Sequence, residues 1–536
     1  MIDTVRRNIF RIAGAGLAGA VTPALIPRAE AQMVSAARGI YDVRAFGATG
    51  DGKTLDTAAI NKAVETAGGS GGGTVRFPPG TYLSYSIHLK SNITLALETG
   101  TTIIGADSPA RGSSVSMGAY DLAESNQPWE NYQDYGHNHW KNSLIWGIGL
   151  ENVAIIGPGL IWGRGLSHGR GRDPGPIAEQ AGVGNKAISL KNCRNILLRD
   201  FGILHGGHFG ILATGVDNLT IDNLTIDTIR DGMDIDCCRN VRVSNCAVNS
   251  PWDDGICLKS SCSLGEARST DMVTITNCFV SGSFEEGALL NATFKKFAPD
   301  ARIPRTGRIK FGTESNGGFR NITISNCVFD GCDGLALETV DGALLEDVTV
   351  TNITMRDIVH DPLFLRLGRR MRGPEGRPIG TFQRVIISNV VCYNSASRGS
   401  SLIIGLPEKK IQDLRIHDLY IQHQGGGTKE MTTAEPSEQE TGYPDPGRFG
   451  ATPSNGFFIR HVKNIDMSNI EICPQKEDLR PAFVLNDVEG ADFFRIKAPK
   501  VAGVPMFVLN NVTDFTVARS KPAPDTQIEK ADHKTL

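Results

Sequence analysis

The chain has 536 residues and a formal net charge of −3, without a long basic run, which argues against nucleic acid as a partner. No apolar run approaches the ~20 residues that a membrane-spanning helix needs, so we predict no membrane partner. The 61 glycines, the 7% aromatic content and the short runs of β-branched residues favour many short strands with tight turns over helices.

Residues 1–31 have the pattern of an export signal. Arg6 and Arg7 open a twin-arginine motif, the apolar run 12–21 follows, and Ala29-Glu30-Ala31 has the small-x-small form of a cleavage site. We therefore predict a signal peptide and a periplasmic or secreted protein exported by the twin-arginine route. A fortuitous basic N-terminus is the alternative.

One helix is predicted near the start of the remaining chain. It covers residues 56–64, with Asp56 as N-cap and apolar side chains at helical spacing, and the glycine-rich run 68–73 ends it. Three strand-like segments follow. A single helix ahead of a strand array suits a cap that closes the open end of a solenoid.

A short motif then recurs: Asn or Asp, apolar, any, apolar, any, Asn. Its copies begin at residues 151, 194, 217, 239, 271, 320, 346, 383, 412 and 463. The closest spacings are about 22–26 residues, as in a coiled repeat. Alternate apolar residues point to one side of each strand, and stacked Asn side chains can hydrogen-bond along the column.

The repeat predicts an all-β fold, a right-handed parallel β-helix over residues 40–520 with a short N-terminal capping helix. Residues 521–536 are predicted to be a polar, frayed tail. A propeller is the alternative, but its blades need about 40 residues or more. Eleven cysteines suit no zinc site, and Cys246, Cys278 and Cys327, each after a repeat Asn, predict a column of buried thiols rather than disulfides.

Three insertions interrupt the repeat, at residues 120–141, 281–308 and 424–455. Insertions in solenoids usually fall on one face and often wall the binding site. Their length favours a closed, exo-type site.

Carboxylates beside glycines mark the candidate catalytic centre. Asp231 and Asp234 lie in DGMD, and Asp253 and Asp254 lie in WDDG, about one coil later. Neighbouring coils are about 4.8 Å apart, so offset carboxylates can reach the roughly 6.5–9.5 Å separation of an inverting glycosidase. Repulsion between adjacent acids can raise one pKa and keep a proton available. A simple Asp-Gly turn explains one such motif, but two that coincide with the repeat predict Asp231, Asp253 and Asp254 as catalytic.

The cap, the coils and the pair DGMD…DDGICLKS resemble the polygalacturonase family, glycoside hydrolase family 28, over about residues 41–421. The resemblance implies a right-handed parallel β-helix, with Asp253 as the general acid and Asp231 and Asp254 activating the water. The family's Asn-Thr-Asp motif is matched in its Asp only, because Ile229 and Arg230 replace the residues before Asp231. Two further family motifs differ here. The segment 306–312, TGRIKFG, lacks the His of Gly-His-Gly, and Gly368 replaces the Lys of Arg-Ile-Lys while Arg366 is kept.

Further substrate-binding candidates come from neighbouring coils: Arg366, Lys259, Lys310, His208 and Glu314. Lys and Arg can bind sugar hydroxyls or a carboxylate, but charge pairing along the sheet explains them almost as well. We predict no cofactor and no metal, and a polysaccharide or oligosaccharide substrate. Two alternatives stay open: a polysaccharide lyase on the same fold, with carboxylates binding Ca²⁺, and a non-catalytic glycan-binding solenoid.

Overall fold

The computed structural model describes residues 39–113, 119–168, 175–396 and 400–536. The predicted export signal, residues 1–31, lies outside these ranges. Within them, no helix has both the length and the apolar character to cross a membrane.

The chain winds into a parallel β-helix whose coils present three strand faces. Strands one coil apart pair in parallel register throughout the helix, which excludes the propeller alternative. The N-terminal helix α1 covers Thr57–Gly69. Short 3₁₀ turns lie at Val43–Phe46, Glu130–Tyr132, Tyr135–His137, Glu430–Thr433 and Pro446–Phe449.

We call the face that carries the acidic motifs the front sheet. Its strands are β5 (Ile87–His88), β8 (Ile145–Ile148), β11 (Lys186–Lys191), β14 (Phe209–Thr214), β17 (Asp231–Asp236), β20 (Ile256–Ser260), β23 (Ile309–Ser315), β25 (Leu335–Thr339), β27 (Leu363–Leu367) and β29 (Ser401–Ile404). The second face begins with β1 (Ile40–Asp42), β3 (Gly73–Phe77), β6 (Ile93–Leu97), β9 (Glu151–Ile156), β12 (Arg194–Arg199), β15 (Asp217–Asp222), β18 (Arg239–Ser244) and β21 (Thr270–Thr276).

The third face begins with β2 (Asp51–Leu55), β4 (Gly80–Ser84), β7 (Thr101–Gly105), β10 (Leu160–Trp162), β13 (Gly202–Leu204), β16 (Thr225–Asp227), β19 (Ala247–Asn249) and β22 (Phe279–Ser281). Later strands run around the corners: β24 (Phe319–Asp330), β26 (Leu344–Arg356), β28 (Thr381–Ser395), β30 (Ile411–His423), β31 (Phe457–Pro474), β32 (Phe483–Phe494) and β33 (Phe507–Ala518). The last strand is β34 (Thr526–Thr535).

The repeat motif forms the second face, as predicted. Val153, Ile196, Leu219, Val241 and Val273 occupy one register position on successive strands, and all are buried. Burying such a side chain stabilises the fold by roughly 1.5–3 kcal/mol relative to leaving it exposed. The intervening residues face solvent, so the alternation in sequence becomes the division between core and surface.

Side-chain amides stack at both ends of these strands. The terminal Asn residues form the predicted ladder, as in Asn352 to Asn326 at 3.0 Å. A second ladder, which the sequence analysis missed, joins Asn195, Asn218 and Asn240 at 2.8 Å per step. These residues have positive φ, a conformation that Asn tolerates better than most residues. Each ladder therefore supports a bend.

The cysteine prediction is confirmed, because Cys246, Cys278 and Cys327 are buried in one column with contacting thiols. All eleven cysteines lie in the described ranges and all are free. The predicted N-cap Asp56 does precede α1, but its carboxylate accepts from the Thr49 and Gly50 amides at 2.7 and 3.0 Å instead of capping the helix.

The prediction of a frayed tail is wrong. Strand β34 pairs antiparallel with β33, and Ile528 and Ala531 are buried against the last coil. These two apolar residues cover the core that the final coil would otherwise expose. Because β34 runs antiparallel to β33, it does not begin another coil, and the series of parallel strands ends there.

The insertions fall at one corner of the coil, as predicted. Residues 106–144, 282–308 and 424–456 each connect the third face to the front sheet, and the acidic turn 250–255 occupies the same corner. The fold thus gathers the long loops around one edge of the front sheet.

Candidate active site

The structure brings the three predicted catalytic carboxylates together. Asp231 is the first residue of β17, and Asp253 and Asp254 lie in the turn before β20, the adjacent strand. One oxygen of each lies within 4.8 Å of the others. This separation is shorter than the 6.5–9.5 Å that we expected from the coil spacing. We call these residues the acid trio.

Two cations hold Asp254 in the ionised state. Arg308 Nε lies 3.0 Å from its Oδ1, and Lys310 Nζ lies 3.3 Å from its Oδ2. Burial alone would raise the pKa of this carboxyl, but Lys310 and Arg308 outweigh burial and hold the pKa below its usual value. Asp254 is therefore a carboxylate that can accept a proton from a water molecule.

Asp231 has the opposite electrostatics. Its side chain is buried, and burial together with the nearby charges of Asp253 and Asp234 raises its pKa well above the usual range. Like charges this close cannot all ionise, so the trio retains a proton. His208 Nε2 lies 3.9 Å from Asp231 Oδ2, so the structure places this predicted residue at the trio. Burial lowers the pKa of His208 well below its usual value, which keeps the ring neutral.

Asp253 is the most exposed member of the trio, with 28% of its side chain accessible. Arg230 Nη2 lies 2.6 Å from its Oδ2. In the sequence, Arg230 stands out only as a departure from the family's Asn-Thr-Asp motif. The sequence did contain a signal for this pairing. Arg230 directly precedes Asp231, and the coil that carries Asp253 stacks on the coil that carries Arg230.

Beside the trio lies a second group of charges, which are paired with one another. Lys259 Nζ lies 3.0 Å from Glu314 Oε2 and 3.7 Å from Asp234 Oδ2, and His137 Nε2 lies 3.1 Å from the same Asp234 oxygen. All four side chains are buried. Lys259 and Glu314 were predicted to bind substrate, but the structure commits them to this internal network. The network holds Asp234 near Asp231, where its charge contributes to the raised pKa of Asp231.

Lys310 also differs from its predicted role. Its ammonium is buried between Asp254 and Glu338, whose carboxylate oxygen is 3.8 Å away. Burial raises the pKa of Glu338, whereas the charges of Lys310 and Arg308 lower it. Burial is the larger effect, and the pKa is raised to about 7. Lys310 therefore supports the carboxylate of Asp254 rather than reaching for substrate.

Arg366 holds a loop rather than substrate, which corrects its predicted role. Its guanidinium is 1% exposed and donates to four backbone carbonyls, those of Ile404, Gly405, Glu438 and Gln439. Two of these belong to the insertion 424–455, which we call the lid loop. The lid loop covers the front sheet beyond β25, and a cavity of about 1050 Å³ lies on its far side, away from the trio.

One glycine in each of the two altered family motifs leaves no room for a side chain. A Cβ at Gly307, in the segment that replaces Gly-His-Gly, would lie 2.2 Å from the Ser281 carbonyl oxygen. A Cβ at Gly368 would lie 2.9 Å from Val340 Cγ1 and 3.5 Å from the Glu440 carbonyl oxygen. Neither the His nor the Lys of those motifs has an equivalent at these positions.

Residues of two insertions, most of them aromatic, pack on two sides of the trio. Gly136 and His137, from the insertion 120–141, pack on His208 and Phe209. On the other side Tyr443 of the lid loop lies over Lys310, with the ammonium 5.6 Å from the ring centroid, and 41% of Tyr443 is exposed. These two insertions bound a short cleft along the front sheet.

Comparisons with known proteins agree with this architecture. Residues 40–145 match the family described as Rhamnogalacturonase A/epimerase, pectate lyase-like, and residues 179–297 match Right handed beta helix region. An Exo-poly-alpha-D-galacturonosidase of Dickeya chrysanthemi is 31% identical over 126 residues, which are 24% of this chain and 20% of that protein. A probable polygalacturonase of Vitis vinifera is 23% identical over 332 residues, 58% of this chain and 60% of that protein.

Among solved structures, a hyperthermoactive exopolygalacturonase from Thermotoga maritima matches with a TM-score of 0.57 at 18% identity, over 81% of this chain and 91% of that one. The chain therefore has the right-handed parallel β-helix fold of this exopolygalacturonase. The proteins named here are polygalacturonases or exopolygalacturonases, and this chain resembles them in fold and, over shorter lengths, in sequence. It spans about a fifth of the length of the first relative.

Proposed function

We propose that this protein is a glycoside hydrolase that cleaves O-glycosidic bonds of a pectin-type polysaccharide or its oligosaccharides. The observation that carries the proposal is the acid trio with its divided electrostatics. One carboxylate is held ionised by two cations, while a second is driven to keep its proton. Glycoside hydrolysis needs such a division between a base and an acid. The resemblance to polygalacturonases supplies the substrate class.

In the proposed mechanism, Asp254 accepts a proton from the attacking water, since Arg308 and Lys310 keep it ionised. Asp253 donates a proton to the leaving oxygen, because it is the trio member that solvent and substrate reach. Asp231 holds the trio's proton in the free enzyme and lies within 4.8 Å of Asp253, so one bridging water molecule can carry the proton between them. The resemblance assigned Asp231 to the water, and its raised pKa favours proton storage instead.

We propose inversion at the anomeric carbon. The short spacing of the trio does not by itself favour inversion, because inverting sites are usually wider. However, both oxygens of Asp254 are engaged by cations, which holds this carboxylate back from bonding to carbon and leaves water as the nucleophile. Proton NMR of the first product formed from an oligogalacturonide tests this. An inverted anomer is expected, and a retained anomer would show a covalent intermediate.

The lyase alternative predicts a different product. Its supporting observation is that the trio's oxygens are close enough to share one cation such as Ca²⁺. Arg230, Arg308 and Lys310 already neutralise these carboxylates, which argues against it. The same digest separates the two reactions. Hydrolysis that EDTA leaves unchanged supports the proposal, whereas an unsaturated, ultraviolet-absorbing product lost with EDTA supports the lyase. Binding without any cleavage would instead support the glycan-binding solenoid.

We further propose that the protein is exported by the twin-arginine route to the periplasm or beyond. The supporting features are the Arg6-Arg7 motif and the small-x-small site at residues 29–31. A variant with both arginines replaced by lysine should accumulate, uncleaved, in the cytoplasm of the producing cell. Undiminished export of that variant, seen by cell fractionation, would contradict the proposal.

A further inference from the structure

A half-exposed histidine lies at the same corner of the coil as the acid trio. His360 occupies the turn before β27, and 50% of its side chain is exposed. Its Nδ1 lies 2.6 Å from Asp333 Oδ1. This hydrogen bond is the main reason that the pKa of His360 rises to about 9, so the ring is an imidazolium at neutral pH. Neither the motifs nor the family resemblance gave His360 a role.

The turns that carry His360 and Asp254 are stacked and joined. Asp333, on the coil between them, donates its amide to the Arg305 and Thr306 carbonyls and faces Arg308 across 3.7 Å. Arg308 in turn binds Asp254 at 3.0 Å. Three coils separate the turns of Asp254 and His360, which is about 14 Å along the helix axis. An oligosaccharide lying along the front sheet spans that distance.

Three carboxyl groups lie near His360 and contribute to its raised pKa: Asp333, Asp361 and Asp445. Asp333 fixes its Nδ1, and Asp361 is neutral at pH 7 because burial raises its pKa to about 8. Asp445 of the lid loop raises the pKa of both His360 and Glu338, which lies on the floor of the cleft. Asp445 therefore lies near both His360 and Glu338. Across the part of the chain that the structure describes, the Nε2 of His360 has no hydrogen-bond partner.

The other cations discussed around the trio are each paired with a carboxylate. Arg230 pairs with Asp253, Arg308 and Lys310 with Asp254, Lys259 with Glu314, and the guanidinium of Arg370 with Asp341. His360 also has a carboxylate partner, but that partner occupies only one side of the ring. The other ring nitrogen, Nε2, carries an N–H in the imidazolium form, and half of the side chain is exposed.

We propose that His360 is a substrate-binding residue whose Nε2–H donates to the carboxylate of a uronic acid unit, away from the cleaved bond. The inference rests on the proposed function and names the acidic sugar that this cleft recognises. A fixed, half-exposed cation is complementary to a carboxylate, and a charge-assisted hydrogen bond is stronger than one to a sugar hydroxyl. This site would give the chain a contact for an acidic substrate in a cleft whose other cations are already paired.

The test compares H360Q and H360K with the wild type on two substrates, an oligogalacturonide and the same oligosaccharide with its carboxyls methyl-esterified. For H360Q, KM for the acid form should rise roughly 5- to 20-fold, as expected for one charged hydrogen bond at a half-exposed site. Its kcat should stay within about twofold, because the contact is remote from the reacting bond. H360K should restore most of the lost affinity, and KM for the ester should not change.

A matched control exists on another face. His417 is 36% exposed, and its Nδ1 lies 2.7 Å from Asp418 Oδ2, so H417Q removes a similar pair without touching the cleft. An equal rise of KM on acid and ester, or none on either, would overturn the inference. Should the wild type cleave neither substrate, the proposed function fails by itself. Calorimetric titration of wild type and H360Q with both oligosaccharides then decides the inference, which an unchanged affinity for the acid form would refute.

Discussion

Replacing Asp253 by asparagine should lower kcat by about 10²- to 10⁴-fold, the usual contribution of general acid catalysis. The amide cannot donate a proton of comparable acidity to the leaving oxygen. The variant should fold normally, because the side chain is 28% exposed and Asn can still accept from Arg230. Initial rates on an oligogalacturonide measure the loss. Asp347→Asn is a matched control, since Asp347 also pairs with an arginine, Arg384 at 2.7 Å, away from the front sheet.

The leaving group separates the acid from the base. A galacturonide with an activated aryl leaving group needs little protonation, so D253N should recover much of its rate on that substrate. D254N should not recover, because activation of water is required for either leaving group. Equal losses for both variants on both substrates would contradict the assignment of Asp253 as the proton donor. Near wild-type activity of D253N on the oligosaccharide would remove it from the mechanism altogether.

Replacing Arg308 by glutamine should impair both stability and the acid side of the pH–rate profile. The guanidinium is buried against Asp254 at 3.0 Å, Asp333 at 3.7 Å and Glu338 at 4.0 Å. Its removal leaves buried carboxylates short of a cation, which typically costs about 3–5 kcal/mol of unfolding free energy. Urea unfolding at neutral pH measures this loss. Arg320→Gln, which breaks a pair with Asp271 whose arginine is 43% exposed, should cost less than about 1 kcal/mol.

The pH dependence of R308Q follows from Asp254. In the wild type the pKa of Asp254 is lowered, so the stability it contributes is present above the unfolded pKa of about 3.9 and is lost as pH falls through the folded value. In R308Q the folded pKa rises, and that contribution shrinks or changes sign. The stability difference between the proteins should therefore be largest near neutral pH and smaller in acid.

Activity should follow the same group. Only ionised Asp254 can accept the water's proton, so the acid limb of kcat/KM should move to higher pH in R308Q, by about one unit or more if one of two close cations is lost. R320Q should keep the wild-type profile. An unmoved acid limb in a folded R308Q protein would show that Asp254 is not the base whose ionisation limits the reaction.

Much of the fold could be predicted because each copy of the repeat is a local sequence pattern. Alternation in the copies from residue 151 onwards specifies which side of each strand is buried, and the recurring Asn specifies each bend. The tail was mispredicted because residues 521–536 are mostly polar, and only the exposed edge of β33 gives Ile528 and Ala531 something to cover. The meeting of the acid trio was predictable, since the spacing of about one coil returns Asp231 and Asp253 to the same corner.

The environment of each site residue was not predictable in this way. Arg308 and Lys310 reach Asp254 from over fifty positions later, across an insertion whose length no repeat specifies. Arg366 matched a family motif, yet the lid loop buries it. Two of its hydrogen bonds go to backbone carbonyls that lie over seventy positions later in the chain. For Lys259 and Glu314 the sequence left substrate binding and charge pairing open, and only the packing of neighbouring coils decided that they pair with each other.

By itself, the sequence determined the winding, the core and the corner at which three carboxylates converge, because these depend on periodicity and strands repeat their geometry locally. The tertiary structure alone decided which carboxylate is ionised, which keeps its proton and which cation still has a donor for substrate. Those properties depend on burial and on charges a few ångströms away, which come from coils and insertions remote in the chain.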